Sequence, residues 1–162
     1  MPNYCENELS VSGPAADVQQ FREQAAGDEE ALNIRHFIPM PEEINSDNTT
    51  SPNRDQEQAQ RLTEKHGAPD WYEWAMQHWG THRDAHEVKL QHSYDDGQEA
   101  ELRYTYITAW TPFSQTALAD ISAQFPTLKL TVSYEEAGLC FAGYMAAEQG
   151  ELTGAREWDT FP

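Results

Sequence analysis

Alternating hydrophobic and polar positions predict most of the β-strands in this chain. The period of two that marks a half-buried strand recurs in residues 5–12, 86–92, 100–110 and 128–134. Residues 139–147 follow a Glu-Glu-Ala-Gly turn and are predicted to return as a fifth strand. The tail from residue 150 carries Trp158 and Phe161 and is a candidate for a last edge strand.

The same alternation predicts a central hairpin and the side chains that point inward from it. Asp95-Asp96-Gly97 supplies the turn between the second and third strands. The predicted inward positions of this hairpin are His86, Val88, Leu90, His92, Leu102, Tyr104, Tyr106, Thr108 and Trp110.

Helical spacing predicts two helices that pack on the sheet. The first covers residues 15–26, with Pro14 at the start. Thr111-Pro112 is predicted to open the second, which carries Leu118, Ile121 and Phe125 at 3.6-residue spacing and ends at Pro126.

The segment 69–85, PDWYEWAMQHWGTHRDA, is predicted to form a short helix that is rich in tryptophan. Asp70 and Glu73 have the spacing of a capping box, and Gly80 is placed to end the helix in a left-handed conformation. Since both faces of this helix carry apolar residues, we expect it to lie between other elements.

Residues 39–82 are predicted to be an insertion that carries this helix. Pro39 and Pro41 favour an extended segment. Residues 44–53 are predicted to form a polar loop, and residues 55–66 are predicted to form an exposed helix. The order of elements predicts one α+β domain over residues 1–162. Its expected fold is a ferredoxin-like split βαβ sandwich, in which an antiparallel sheet has two helices on one face and an extra C-terminal strand.

The chain is strongly acidic, with 28 aspartates and glutamates against 10 lysines and arginines and a formal net charge of -18. This charge argues against direct nucleic-acid binding, because such binding needs a basic surface. Three explanations of the charge remain open: a solvated acidic surface, adaptation to high salt, and imitation of nucleic-acid charge. No apolar run is long enough for a membrane span, and Cys5 and Cys140 indicate reduced thiols, so we expect a cytoplasmic protein.

Three groups of residues are candidates for chemistry. His78, His82 and Asp84 could hold a divalent metal ion, although Gly80 interrupts their helical spacing and favours ordinary polar contacts. Glu135 and Glu136 could act as a general acid–base pair. Because adjacent residues in a strand point to opposite faces, the two carboxylates would not converge, and a role as turn residues is favoured. The tryptophans Trp71, Trp74, Trp79 and Trp110 could line a ligand groove or close the core.

Five ordered motifs resemble the YubB-type ferredoxin-like domain proteins of conjugative plasmids, prophages and phages. They are MPNYCENELSVSG at the start, IPMPEE at 38–43, YEWAMQHWGTHRDA at 72–85, TAWTPF at 108–113 and YEEAGLCFAG at 134–143. The resemblance implies the same fold and an accessory role in a mobile genetic element, and it supplies no catalytic residue. The chain has too few cysteines for an iron–sulfur cluster, so we expect no cofactor.

Most of the matched positions are expected to cluster where the tryptophan helix meets the sheet. We call these candidate residues, together with Trp71, the junction residues: Trp71, Trp74, Trp79, Gly80, Thr81, Asp84, Trp110, Pro112, Glu136, Gly138 and Phe141.

The sequence favours a non-enzymatic binding protein that acts on a host protein through its acidic surface or the junction residues. DNA-binding proteins are among the candidate partners. The alternatives are a small metal-dependent enzyme at His78, His82 and Asp84, and a ligand-binding module that uses the aromatic groove. Neither a membrane nor nucleic acid is an expected partner.

Overall fold

The computed structural model describes residues 3–46 and 55–161. Over these residues the strands are β1 (Tyr4–Pro14), β2 (His86–Asp95), β3 (Glu99–Ala109), β4 (Lys129–Glu136), β5 (Phe141–Glu148) and β6 (Glu151–Asp159). The helices are α1 (Ala15–Ala25), a 3₁₀ turn (Ile34–His36), α2 (Glu42–Ser46), α3 (Gln56–His66), α4 (Trp71–His78) and α5 (Gln115–Gln124).

The six strands form one antiparallel sheet in the order β2-β3-β1-β4-β5-β6. Strands β1 to β4 with α1 and α5 have the βαββαβ order of the ferredoxin-like fold, which confirms the predicted fold class. β5 extends the sheet beside β4, as expected, and the acidic tail forms the edge strand β6.

The two faces of the sheet differ in what covers them. α1 and α5 pack on one face, where Leu9, Tyr104 and Leu130 from the sheet join Phe21 and Leu118 from the helices in a single buried core. The alternate side chains of the same strands point to the opposite face, because successive residues in a strand point to opposite sides. We call this side, which neither of these helices covers, the open face.

Two predictions for the central hairpin were wrong. A bulge at Glu87, whose φ is +51°, places His86 opposite Ile107 on the open face, away from the core side of Val88. β3 ends at Ala109, and Trp110 has a φ of +68° and is 42% exposed, so it does not share the buried side of Tyr106.

The region between α1 and β2 contains more structure than was predicted. Ile44 is buried in the helix α2, where a polar loop was expected, because its apolar side chain joins the core. α3 buries Leu62 and is otherwise largely exposed, as predicted. Residues 47–54 of the expected loop lie outside the described residues.

α4 has the predicted caps but only one buried face. The Asp70 carboxylate accepts a hydrogen bond from the Glu73 amide at 2.8 Å, and Gly80 has a φ of +83°. Trp74 and Trp79 are buried, but Tyr72 and Met76 are exposed, so the expectation that the helix lies between other elements was wrong for this side of it. α5 begins after Ser114, later than Thr111-Pro112 had indicated. None of the helices in the described ranges combines the length and hydropathy needed to cross a membrane.

Candidate functional site

The end of α4 docks on the connection between β3 and α5. The Thr81 hydroxyl donates a hydrogen bond to the Ala109 carbonyl at 2.9 Å, and the Ser114 amide donates to the Trp79 carbonyl at 2.8 Å. The backbone turns sharply at Gly80, where a Cβ atom would lie 2.8 Å from the Ser114 nitrogen. These contacts bring Trp79, Gly80 and Thr81 next to the Pro112 segment.

The aromatic rings of α4 mainly contact one another. Trp74 stacks on His78 with 4.1 Å between ring centroids, and its ring meets Trp79 edge-on at 5.7 Å. The Trp79 indole N–H donates to the Ile38 carbonyl at 2.9 Å. Trp71 lies beside Tyr72 at the start of the helix, and its buried N–H has no partner among the described residues.

The predicted metal ligands are engaged separately. Asp84 accepts hydrogen bonds from the Ile34 amide at 2.7 Å and from Arg35 Nε at 3.2 Å, so it anchors the 3₁₀ turn. His78 Nδ1 lies 2.9 Å from the carbonyl of Trp74, and His82 stacks on Tyr72. Burial, with a smaller contribution from Arg83, lowers the pKa of His82. In the described ranges, no three side chains from His, Cys, Asp and Glu are grouped as metal ligands would be.

A second group of junction residues lies at the turn between β4 and β5. The buried Glu136 carboxylate accepts hydrogen bonds from the amides of Gly138, at 3.0 Å, and Leu139. A Cβ atom at Gly138 would lie 2.6 Å from the Asn3 side chain, and the Asn3 carbonyl accepts from the Trp110 amide. Glu136 is therefore a turn residue, as the sequence favoured, and Asn3 connects this turn to Trp110.

Neighbouring side chains at this end of the sheet are also committed to internal contacts. Phe141 meets the Tyr134 ring edge-on, and Cys5 lies opposite Glu136 in the register of β1 and β4. Burial, above all, raises the pKa of the Cys5 thiol to about 12, which makes it a poor nucleophile. Most junction residues thus serve the packing of this end of the sheet, and Trp110 is the one with a broadly exposed ring.

The register of the sheet defines three complete cross-strand rows of side chains on the open face, and two of them carry its exposed aromatic rings. The first row, in sheet order from β6 to β2, is Trp158, Ala142, Glu135, Glu6, Ile107 and His86. The second row, in the same order, is Arg156, Tyr144, Ser133, Glu8, Thr105 and Lys89.

These rows border a broad, open depression of about 600 Å³. Tyr144 is 40% exposed and Trp158 is 45% exposed, so two large aromatic rings face solvent within it. None of the junction residues lines this depression. The sequence places Tyr144 and Trp158 in predicted strands, but only the register shows that they share a face with Glu6.

Two comparisons with known proteins agree with this architecture, and a third found no match. Residues 85–161 match the family model of the ferredoxin-like domain in Api92-like proteins. A crystal structure of the protein Api92 from Yersinia pseudotuberculosis superposes with a TM-score of 0.64, covering 100% of both chains at 11% sequence identity. No curated protein matches the sequence. At that identity the likeness shows a shared ferredoxin-like fold and carries no activity to this chain.

Proposed function

We propose that this chain is a non-enzymatic binding protein that docks a partner protein on the open face of its sheet. The observation that carries the proposal is the exposure of Tyr144 and Trp158 in a broad depression on that face. Tyr and Trp are enriched at protein interfaces, where their large rings contribute most of the binding energy. Ala142 lies opposite Trp158 and next to Tyr144 on the same face, and its small side chain leaves room for a partner group.

The motif resemblance to plasmid- and phage-borne proteins supports a more specific form of this proposal. In that form, the chain is an accessory protein of a mobile genetic element. Its partner is a protein of the bacterial host, and DNA-binding proteins are among the candidates. Imitation of nucleic-acid charge would require uninterrupted rows of carboxylates. On the open face, Lys89 and Arg156 end the row that contains Glu8, so a mixed docking surface fits this face better than charge imitation.

Capture of partners with matched variants tests the docking surface. The double variant Tyr144→Ala/Trp158→Ala removes the rings of the open face, and Tyr72→Ala/Met76→Ala removes exposed apolar side chains from α4. A partner isolated with the wild-type chain should bind the α4 variant with unchanged affinity and the open-face variant at least about tenfold more weakly. Equal binding by all three proteins would reject the open face as the docking surface.

A ligand-binding module at the junction residues is a second candidate because Trp110 holds an exposed ring on a left-handed backbone. Bulky residues adopt this conformation rarely, and such strain concentrates at functional sites. Trp110→Gly removes the ring and relieves the backbone, so loss of binding to a ligand or partner with unchanged stability would favour this candidate. Metal-dependent catalysis has no supporting observation among the described residues.

A further inference from the structure

We infer that the open face recognises an arginine-bearing basic segment of the partner, with a guanidinium group held by Glu6 and Glu135. This inference rests on the proposed docking function and names the chemistry of what docks. Arginine is suited to the position because its planar fork can bridge two carboxylates while its face stacks on aromatic rings.

The first support is the placement of two like charges directly opposite each other in the centre of the sheet. Glu6 of β1 pairs with Glu135 of β4 in the antiparallel register. Directly opposite residues have Cβ atoms about 5 Å apart, and like charges there destabilise the sheet. No hydrogen bond or ion pair joins either carboxylate to another group in residues 3–46 and 55–161. A cation from outside the chain would remove this repulsion.

The second support is the aromatic surface beside this pair. Glu135 is followed across the sheet by Ala142 and then by Trp158 in the same row. Tyr144 lies diagonally beside Trp158, one row away, within reach of the same ligand group. A cation over such rings gains cation–π attraction in addition to its attraction to the carboxylates.

The third support is the limited extent of the negative patch. Glu87 also lines the depression, while Glu8 lies 3.5 Å from the Arg103 guanidinium, which partly neutralises it. Lys89 and Arg156 stand at the two ends of the second row. A short segment with two or three cations fits this arrangement, whereas a long polybasic tract would meet these lysine and arginine side chains.

The inference is tested with synthetic peptides and two double variants of equal charge. The probes are a short acetylated peptide with two arginines, the same peptide with lysines, and the same peptide with neutral citrullines. Glu6→Gln/Glu135→Gln removes the opposed pair. Asp28→Asn/Glu29→Gln removes two exposed carboxylates from the loop after α1 and serves as the control for net charge.

We expect saturable binding of the arginine peptide, with NMR shift changes centred on open-face residues of β1, β4, β5 and β6. The open-face double variant should bind about tenfold more weakly and the loop variant nearly as well as wild type. The citrulline peptide should not bind, and the lysine peptide should bind more weakly than the arginine peptide. Without peptide, Glu6→Gln/Glu135→Gln should raise the melting temperature, because it removes the repulsion between the two carboxylates. If the pair had a structural role instead, this double variant would lower the melting temperature.

Equal weakening by both double variants, or shift changes spread over the whole acidic surface, would overturn the inference by showing diffuse charge attraction. The capture experiment separates this failure from failure of the docking function. If the peptides do not bind the open face but Tyr144→Ala/Trp158→Ala still loses its partner, the arginine inference fails and the docking surface stands. If that variant keeps its partner, the docking surface itself is rejected.

Discussion

At the scale of single residues, Gly80 shows how one position fixes the approach of α4 to the sheet. It has a φ of +83°, and a Cβ atom there would also meet Ser114 at less than 3 Å. Gly67 after α3 has a similar φ of +79°, but nothing lies within 4 Å of the position of its Cβ. The two glycines therefore separate the effect of backbone conformation from the effect of steric contact.

We predict that Gly67→Ala costs about 1 kcal/mol of unfolding free energy, the usual penalty for a left-handed alanine. Gly80→Ala should cost roughly 2–4 kcal/mol, because Ser114 must also move. Urea denaturation of both variants measures the difference. Similar losses from the two substitutions would show that the contact with Ser114 contributes little.

Glu43 of α2 gives a prediction about pH. Hydrogen bonds from Lys65, then from His66 and Arg61, lower the pKa of Glu43 from 4.5 to about 2. Because the folded-state pKa is the lower one, Glu43 stabilises the fold above pH 4.5, and this stabilisation is lost as the pH falls toward 2. Glu43→Gln should therefore be less stable than wild type at pH 7 and equal to it near pH 2. A difference that persists at the lower pH in thermal unfolding would point to packing as its cause.

At the scale of elements, the regular strands could be predicted from local pattern, whereas the bulge at Glu87 and the helix α2 could not. The period of two predicted β1, β3 and β4 because each has one face buried under helices. The bulge at Glu87 was missed because its cause lies far away in sequence. The Glu30 carboxylate accepts hydrogen bonds from the amides of Glu87 and Val88, at 2.9 Å and 3.0 Å. α2 was missed because Ile44 is one apolar residue in a polar stretch, and only its place in the core shows its role.

We predict that Glu30→Ala loosens the start of β2, because two amides lose their charged acceptor. The unfolding free energy should fall by about 1–2 kcal/mol. Amide hydrogen exchange at residues 87 and 88 should accelerate while the β1–β4 ladder stays protected. Glu29→Gln, on an exposed neighbouring residue, is the control and should change neither quantity. Unchanged exchange in Glu30→Ala would show that the bulge holds without this clamp.

At the scale of the whole molecule, the strand order could be predicted from sequence, but the candidate docking surface could not. Short connections and right-handed crossovers leave few arrangements for a βαββαβ chain, so the ferredoxin-like order followed. The open face depends on register, because Glu6 and Glu135 are neighbours only through pairing between strands far apart in sequence. The junction residues were found as motifs, yet Glu136 and Asp84 proved to hold turns together.

The net charge of -18 also acts on the whole molecule, because the excess carboxylates repel one another. Raising the salt from about 0.01 M to about 0.15 M shortens the range of this repulsion from about 30 Å to about 8 Å. We therefore predict that the melting temperature rises by several degrees over this interval and then levels off. A continued steep rise above about 1 M, where screening is already nearly complete, would instead indicate adaptation to high salt. Binding of the arginine peptide should weaken over the same salt interval. Melting temperature and peptide affinity measured in parallel therefore separate repulsion within the chain, which salt relieves, from attraction to the partner, which salt weakens.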